Sequence, residues 1–191
     1  EKLLDKKFNQ KAVNYITSNI HAISTFTISS FYLLNLLSID TYTKLIYIST
    51  AYAIYDTNII LFDDTPGKIF LVIHHSMIVI VNIYVNYLKD VFVVDMMAYN
   101  YLTEFTTPFL NLSLYLYKSN TTDIMVGSFN LFNCCNRILI VSFFIFRILL
   151  GFYLIKINLF YNFLSYFQVI MLGMNIYWFK KLLSKVIKVS N

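Results

Sequence analysis

Apolar residues in this chain occur in runs of about 20, and these runs limit it to a membrane-spanning helical fold. At about 1.5 Å per residue, a helix of roughly 20 apolar residues crosses a hydrocarbon core about 30 Å thick. A soluble core would interrupt such runs with polar positions. Only 13% of the 191 residues are charged, against roughly 25% in soluble globular domains. The pattern predicts an all-α, polytopic transmembrane helix bundle.

Six spans are predicted, at residues 12–37, 45–62, 69–88, 91–117, 124–155 and 157–183. The polar stretch 63–68 is the clearest turn. The fourth span contains Pro108, which should kink or break the helix inside the bundle, where neighbouring helices can satisfy the freed backbone groups. Residues 1–191 are predicted to form a single domain. Because the first residue is Glu1 rather than Met, a seventh span preceding this chain is also an expectation.

The distribution of lysines predicts the orientation of the bundle. With an even number of spans both termini share a side, and that side carries most of the lysines. The other side carries Lys44, Lys89 and Lys156. The more basic side of a membrane protein usually faces the cytosol, so both termini are placed there. The net charge of +5 is then attributed to anchoring beside anionic lipid headgroups rather than to nucleic-acid binding.

Polar and ionisable side chains inside the predicted spans point to a site. An ionisable group within a span costs roughly 2.5–3.5 kcal/mol on insertion scales, so it is treated as a functional candidate. Counting about 1.5 Å per residue from the cytosolic ends places one polar group of each span in the same half of the membrane. The predicted layer consists of His21, Asp56, His74, Glu104, Asn130 and Asn175.

His74, His75, Asp56 and Glu104 are the candidate catalytic residues. Histidine and carboxylate groups can offset one another's desolvation and leave a base or nucleophile poised near neutral pH. Neighbouring helix positions lie about 100° apart, so one histidine should face the cavity while the other bonds a neighbouring helix through Asp56 or Glu104. The same groups could instead simply pair across helices. The histidine spacing of HExxH zinc sites is absent, and no metal or cofactor is predicted.

A second set of side chains is assigned to lipid binding. Within it, Asn130, Asn175 or Tyr55 could stabilise the developing oxyanion of an acyl transfer. Arg137, near mid-depth, needs a partner such as Asp95 or a lipid phosphate, whereas Arg147 lies toward the far interface and could snorkel there. The candidate lipid-binding residues are His21, Tyr55, Asn130, Arg137 and Asn175.

Several short motifs, taken in order, resemble the TLC-domain family (membrane proteins of the TRAM, Lag and CLN type). They are SNIHA at 18–22, YD at 55–56, HH at 74–75, EFTTPFLN at 104–111, FFIFRI at 143–148 and NIYWFK at 175–180. The resemblance covers nearly the whole chain. It is closer to the small TLC-domain-containing proteins than to ceramide synthases, because the stretch after the histidine pair is shorter and lacks their His-Asp pair.

The resemblance implies a lipid-handling protein of the endoplasmic reticulum or a related internal membrane. It implies His74 or His75 as the acyl-accepting or basic residue, with Asp56 and Glu104 as supporting carboxylates. An acyltransferase would take acyl-CoA as co-substrate, and a non-enzymatic lipid-binding regulator of membrane lipid composition is the alternative. A proton-coupled transporter is less favoured, because a single kinked span gives no paired broken helices. The expected partners are membrane lipids and fatty acyl chains, and the oligomeric state stays open.

Overall fold

A computed structural model describes the backbone of residues 2–62, 68–157 and 162–190, and the side chains of 12–62, 68–157 and 163–184. The described helices form the predicted bundle of six spans. Two spans contain a short irregular helical segment and are therefore divided. The helices are α1 (Lys2–Leu33), α2 (Ile39–Phe62), α3 (Lys68–Leu88), α4 (Val91–Tyr101), a 3-10 segment (Leu102–Thr106), α5 (Thr107–Lys118), α6 (Leu131–Phe143), a π segment (Phe144–Leu149), α7 (Leu150–Ile157) and α8 (Asn162–Ser190).

The outward surface of this bundle is apolar, as a bilayer requires. Ile48, Ile80 and Val141, for example, expose 63%, 55% and 59% of their surface. Three of the described helices are by themselves long and apolar enough to cross a membrane, namely Ile39–Phe62, Lys68–Leu88 and the continuous helix Leu131–Ile157. In water, so many exposed aliphatic side chains would form large apolar patches that promote aggregation. The all-α transmembrane fold class is thus confirmed.

The fourth span changes its helical form just before Pro108. The 3-10 segment precedes the proline, which lies in the first turn of α5, where its missing N–H costs no helix hydrogen bond. Thr106, at the junction, is fully buried, so the irregularity lies inside the bundle as predicted. A second irregularity, which the sequence did not predict, is the π segment in the next span. The two segments contact each other.

The predicted start of the fifth span at Ile124 is wrong. Two short antiparallel strands, β1 (Met125–Val126) and β2 (Phe129–Asn130), form a hairpin there instead. Gly127 adopts a positive φ of 60° in the turn, a conformation that glycine tolerates. The side-chain oxygen of Asn130 then accepts a hydrogen bond from the backbone N–H of Asn133 at 2.9 Å and caps α6. The helix therefore begins at Leu131. Residues 63–67 of the turn predicted at 63–68 lie outside the described residues, and Lys68 begins α3.

Close packing between α7 and α8 gives a prediction about stability. A Cβ atom added at Gly151 would lie 3.0 Å from Cδ1 of Leu172, a side chain that is buried in the core. We expect Gly151→Val to lower the free energy of unfolding by about 1–3 kcal/mol through overpacking. The matched control is Gly173→Val in α8, because a Cβ there meets nothing within 4 Å. Equal loss of stability for both variants, measured by denaturation in mixed micelles, would contradict this packing argument.

Candidate functional site

The two adjacent histidines of α3 point to different sides. Nε2 of His75 lies 3.5 Å from Oδ2 of Asp56 on α2, and both side chains are largely buried. His74 instead lines a cavity formed with α4, α7 and α8, with its ring edge-on to Trp178 at a centroid distance of 5.6 Å. This is the division of roles that helical geometry predicted, with Asp56 as the partner on the neighbouring helix.

Beside the His75–Asp56 pair, α1 contributes His21. Nε2 of His21 lies 3.0 Å from the hydroxyl oxygen of Ser49, and its ring stacks on Tyr52 at a centroid distance of 3.8 Å. These contacts fix both the position and the tilt of the imidazole. Glu104 on the 3-10 segment interacts electrostatically with His21, with His75 and with Asp56. His21, His75, Asp56 and Glu104 therefore lie in the same part of the bundle.

A cavity of about 40 Å³ lies on the other side of α3, which is room for roughly two or three water molecules. Nδ1 of His74 and Oδ1 of Asn175 are buried, and neither atom has a hydrogen-bond partner in the part of the chain that the structure describes. Buried polar atoms are nearly always hydrogen-bonded, so such atoms mark a place for a ligand or water. Polar side chains that line the cavity are His74, Asn100, Tyr101, Thr103, Glu104, Arg147, Gln168 and Asn175.

Arg147 belongs to this cavity and does not snorkel to the far interface. Its side chain is buried, with 7% exposed. Its Nε donates to Oγ1 of Thr106 at 2.7 Å, and its Nη2 lies 3.3 Å from Oγ1 of Thr107. Thr107 in turn donates to Oε2 of Glu104 at 2.7 Å. The prediction failed because the helix begins at Leu131 instead of Ile124, which changes the depth of Arg147 by about 10 Å.

Three of the predicted lipid-binding residues lie outside the cluster. Tyr55 is 44% exposed on the outer face of α2, because it lies about 100° around the helix from Asp56. Arg137 is exposed on α6, and Asp95, its proposed partner, accepts a hydrogen bond from the Tyr32 hydroxyl at 2.7 Å instead. Asn130 is in the hairpin, where its Nδ2 donates to the carbonyl of Thr122 at 2.9 Å. Arg147 therefore takes the place in the polar layer that was predicted for Asn130.

Two of the sequence motifs contact each other and hold the site together. Nδ2 of Asn111, the last residue of EFTTPFLN, donates to Oγ of Ser18 at 3.0 Å and to Oδ1 of Asn19 at 2.8 Å. Ser18 and Asn19 belong to the motif that contains His21. Because Asn111 follows Glu104 on the same span, these hydrogen bonds fasten α1 to α5. His21 and Glu104 are thereby held in the same part of the bundle.

Sequence reasoning missed several cavity residues besides Arg147. Gln168 of α8 is 3% exposed and lines the cavity, although it occurs in an otherwise apolar stretch. Tyr101 is buried too, and its hydroxyl exchanges hydrogen bonds with the side chain of Asn82 at 3.0 and 3.1 Å. Gln168 could have been identified by the signal that identified Asn175, which is a carboxamide side chain within an apolar run long enough to span the membrane. Tyr101 could not be distinguished from the many other tyrosines of the chain.

Six helical spans surrounding a buried layer of histidine, carboxylate and guanidinium groups define a polytopic membrane protein with an internal polar site. The family model of the TLC domain matches residues 9–184, which include every residue of that layer. The chain therefore belongs to the TLC-domain family, as the motifs indicated, and has a membrane lipid-related role. No curated protein and no solved structure matches it significantly.

Proposed function

We propose that this protein is a lipid acyltransferase that uses both histidines of the adjacent pair in α3, one on each face of the helix. The observation that carries the proposal is the division of the pair itself. His75 is joined to a carboxylate, while His74 lines a cavity with an unpartnered ring nitrogen. A histidine oriented by a carboxylate is a common general base, and an unpaired imidazole nitrogen is a competent nucleophile.

The proposed reaction has two steps. The unprotonated ring nitrogen of His74 attacks the carbonyl carbon of an acyl-CoA thioester, the C–S bond breaks, and the thiolate leaves as a thiol with the proton from the other ring nitrogen of His74. An acceptor amine or hydroxyl then attacks the acyl-imidazole carbon. The His75–Asp56 pair takes the acceptor's proton, the C–N bond to His74 breaks to release the acylated lipid, and the proton then passes to the departing ring nitrogen of His74, which restores both imidazoles to their neutral form. Asn175 is the candidate to donate a hydrogen bond to the carbonyl oxygen, with its amide turned so that Nδ2 faces the substrate.

The size of the cavity favours a second candidate function, a lipid-binding regulator. Pockets that enclose a drug-sized ligand usually measure about 300–1,000 Å³. A cavity of about 40 Å³ admits the polar end of a lipid while its chain lies between helices or in the bilayer. The same residues would then hold the lipid without forming a covalent bond. Membrane lipids and fatty acyl chains are the expected partners in both cases.

The cellular setting is part of the proposal. Family membership supports the endoplasmic reticulum or a related internal membrane. The short stretch after the histidine pair, which lacks a His-Asp pair, supports kinship with the small TLC-domain-containing proteins. The lysine distribution supports cytosolic termini, which would give a CoA donor access from the cytosol. Engineered glycosylation sequons placed in each loop test the orientation, because only lumenal sequons acquire glycans.

Mass spectrometry distinguishes the two candidate functions. After incubation of the purified protein with acyl-CoA, we expect an intact mass increased by one acyl group, retained under denaturing conditions. His74→Ala should abolish this adduct, whereas His75→Ala should slow its transfer to the acceptor and so let it accumulate. A lipid that co-purifies without any covalent adduct, and that is lost from the His74→Ala His75→Ala double variant, would replace the acyltransferase proposal with the regulator.

A further inference from the structure

Arg147 is a buried cation whose hydrogen bonds to the described residues use only part of its donor set. A guanidinium carries five N–H groups. Its Nε and Nη2 contact the hydroxyl oxygens of Thr106 and Thr107, which are neutral. Glu104 reaches the guanidinium through the Thr107 hydroxyl. The charge is thus balanced through a relay, and the remaining N–H groups are available to a ligand in the cavity that Arg147 lines.

The rest of the cavity complements a small oxygen-bearing group. His74 and Asn175 line it together with Arg147, and the side chains of His74 and Asn175 each have a buried polar atom without a partner among the described residues. The cavity volume of about 40 Å³ suits a group of a few heavy atoms. A guanidinium binds such a group best when it is an oxyanion, because the planar fork of N–H donors matches two oxygens at once.

We propose that the cavity binds the oxyanion head of a single-chain lipid, a carboxylate or a phosphate, through Arg147. The inference rests on the proposed lipid-handling function and names the ligand class of the same site. The acyl chain would extend past the apolar side chains of α7 and α8 that close the cavity, among them Leu154 and Leu172.

The opposite charges in the cavity determine how such a ligand enters. Arg147 and Glu104 together carry no net charge, so an added anion leaves the site negative. A fatty acid that enters protonated avoids this cost. Its O–H bond breaks and the proton moves to the unprotonated ring nitrogen of His74, which leaves the carboxylate between the guanidinium and a protonated imidazole. His74 thus both balances the charge and remains hydrogen-bonded to the ligand.

Binding of two ligands that differ only in the head group tests the proposal on the wild-type protein in nanodiscs. Oleic acid should bind at least about tenfold more tightly than oleyl alcohol, since a hydrogen bond to a charged group contributes roughly 1.5–3 kcal/mol. Lysophosphatidic acid and inorganic phosphate identify the source of the oxyanion. Binding of the phospholipid alone would assign the site to a phosphate headgroup, and equal binding of inorganic phosphate would show that the lipid chain adds nothing, which would overturn the lipid part of the proposal.

Two arginine variants then assign the preference to a residue. Arg147→Gln should remove the advantage of oleic acid over oleyl alcohol, while Arg137→Gln, an exposed arginine in the preceding helical segment, should retain it. Arg147→Lys keeps the charge without the fork and should give an intermediate preference. Equal binding of the acid and the alcohol by wild type would overturn this inference and leave the proposed function standing. If none of oleic acid, oleyl alcohol and lysophosphatidic acid bound, both the inference and the proposed function would be overturned. Because the ligand pair is compared on wild type, the test does not depend on the folding of a variant.

Discussion

Asp56→Asn should slow acyl transfer by on the order of 10²-fold or more, the usual contribution of general acid–base catalysis. The substitution preserves the shape of the side chain and removes its negative charge. His75, 3.5 Å away, then loses the group that stabilises its protonated form during transfer to the acceptor. The rate is measured by single-turnover decay of the covalent adduct after an acceptor lipid is added.

Asp95→Asn is the matched control for that variant. Asp95 also accepts a hydrogen bond across helices, from Tyr32, but it lies near the start of α4, at the opposite end of the bundle from Asp56. Its replacement should leave the transfer rate within a fewfold of wild type even if it lowers stability. A similar rate loss in both variants would mean that the effect of Asp56→Asn is structural, and the catalytic role of the His75–Asp56 pair would be wrong.

Thr106→Val should lower the free energy of unfolding by more than the loss of one hydroxyl group usually does. Thr106 is fully buried, and valine matches its shape while removing the oxygen that accepts from Nε of Arg147. Neutral hydrogen bonds between membrane helices contribute about 0.6 kcal/mol on average. Here the donor is charged and buried, so we expect a loss of about 1.5–3 kcal/mol in the free energy of unfolding. Equilibrium denaturation in mixed micelles measures it.

Thr57→Val separates this effect from a general cost of removing threonine. The hydroxyl of Thr57 donates to the carbonyl of Ala53 in its own helix at 2.7 Å, and among the residues that the structure describes it bonds no group of another helix. Its replacement should change the stability by less than about 0.5 kcal/mol. If the two variants were equally stable, the Arg147–Thr106 contact would not be what holds the 3-10 and π segments together.

The two faces of α3 have separate roles in the proposed reaction, and Glu104 connects them. The face toward α1 and α2 carries His75, Asp56 and His21, whose positions are set by contacts with Ser49 and Tyr52. The face toward α7 and α8 carries His74 and the cavity. Glu104 lines the cavity and interacts with the groups on the first face. A change at Glu104 should therefore affect both adduct formation and transfer.

The fold class and the family could be read from the sequence, because both depend on patterns that the chain carries locally. An apolar run long enough to cross a bilayer has to be helical in lipid, whatever its neighbours are. An ionisable residue in such a run has to find a polar partner. The histidine pair, Asp56, His21, Glu104 and Asn175 were found for this reason. Helical periodicity alone also predicted that only one of two adjacent histidines would face the cavity.

The tertiary structure decided what depends on register and on neighbouring helices. Residues 124–130 are apolar enough to continue a helix, but they pair with each other as a hairpin, so the helix starts late. That shift exposes Arg137 and buries Arg147. The π segment contains Arg147 and contacts the 3-10 segment of another span, where Arg147 bonds Thr106 and Thr107. The sequence indicated that polar groups of several spans are buried together, whereas helix packing determined which of them reach the cavity, since partners across helices leave no local pattern in the chain.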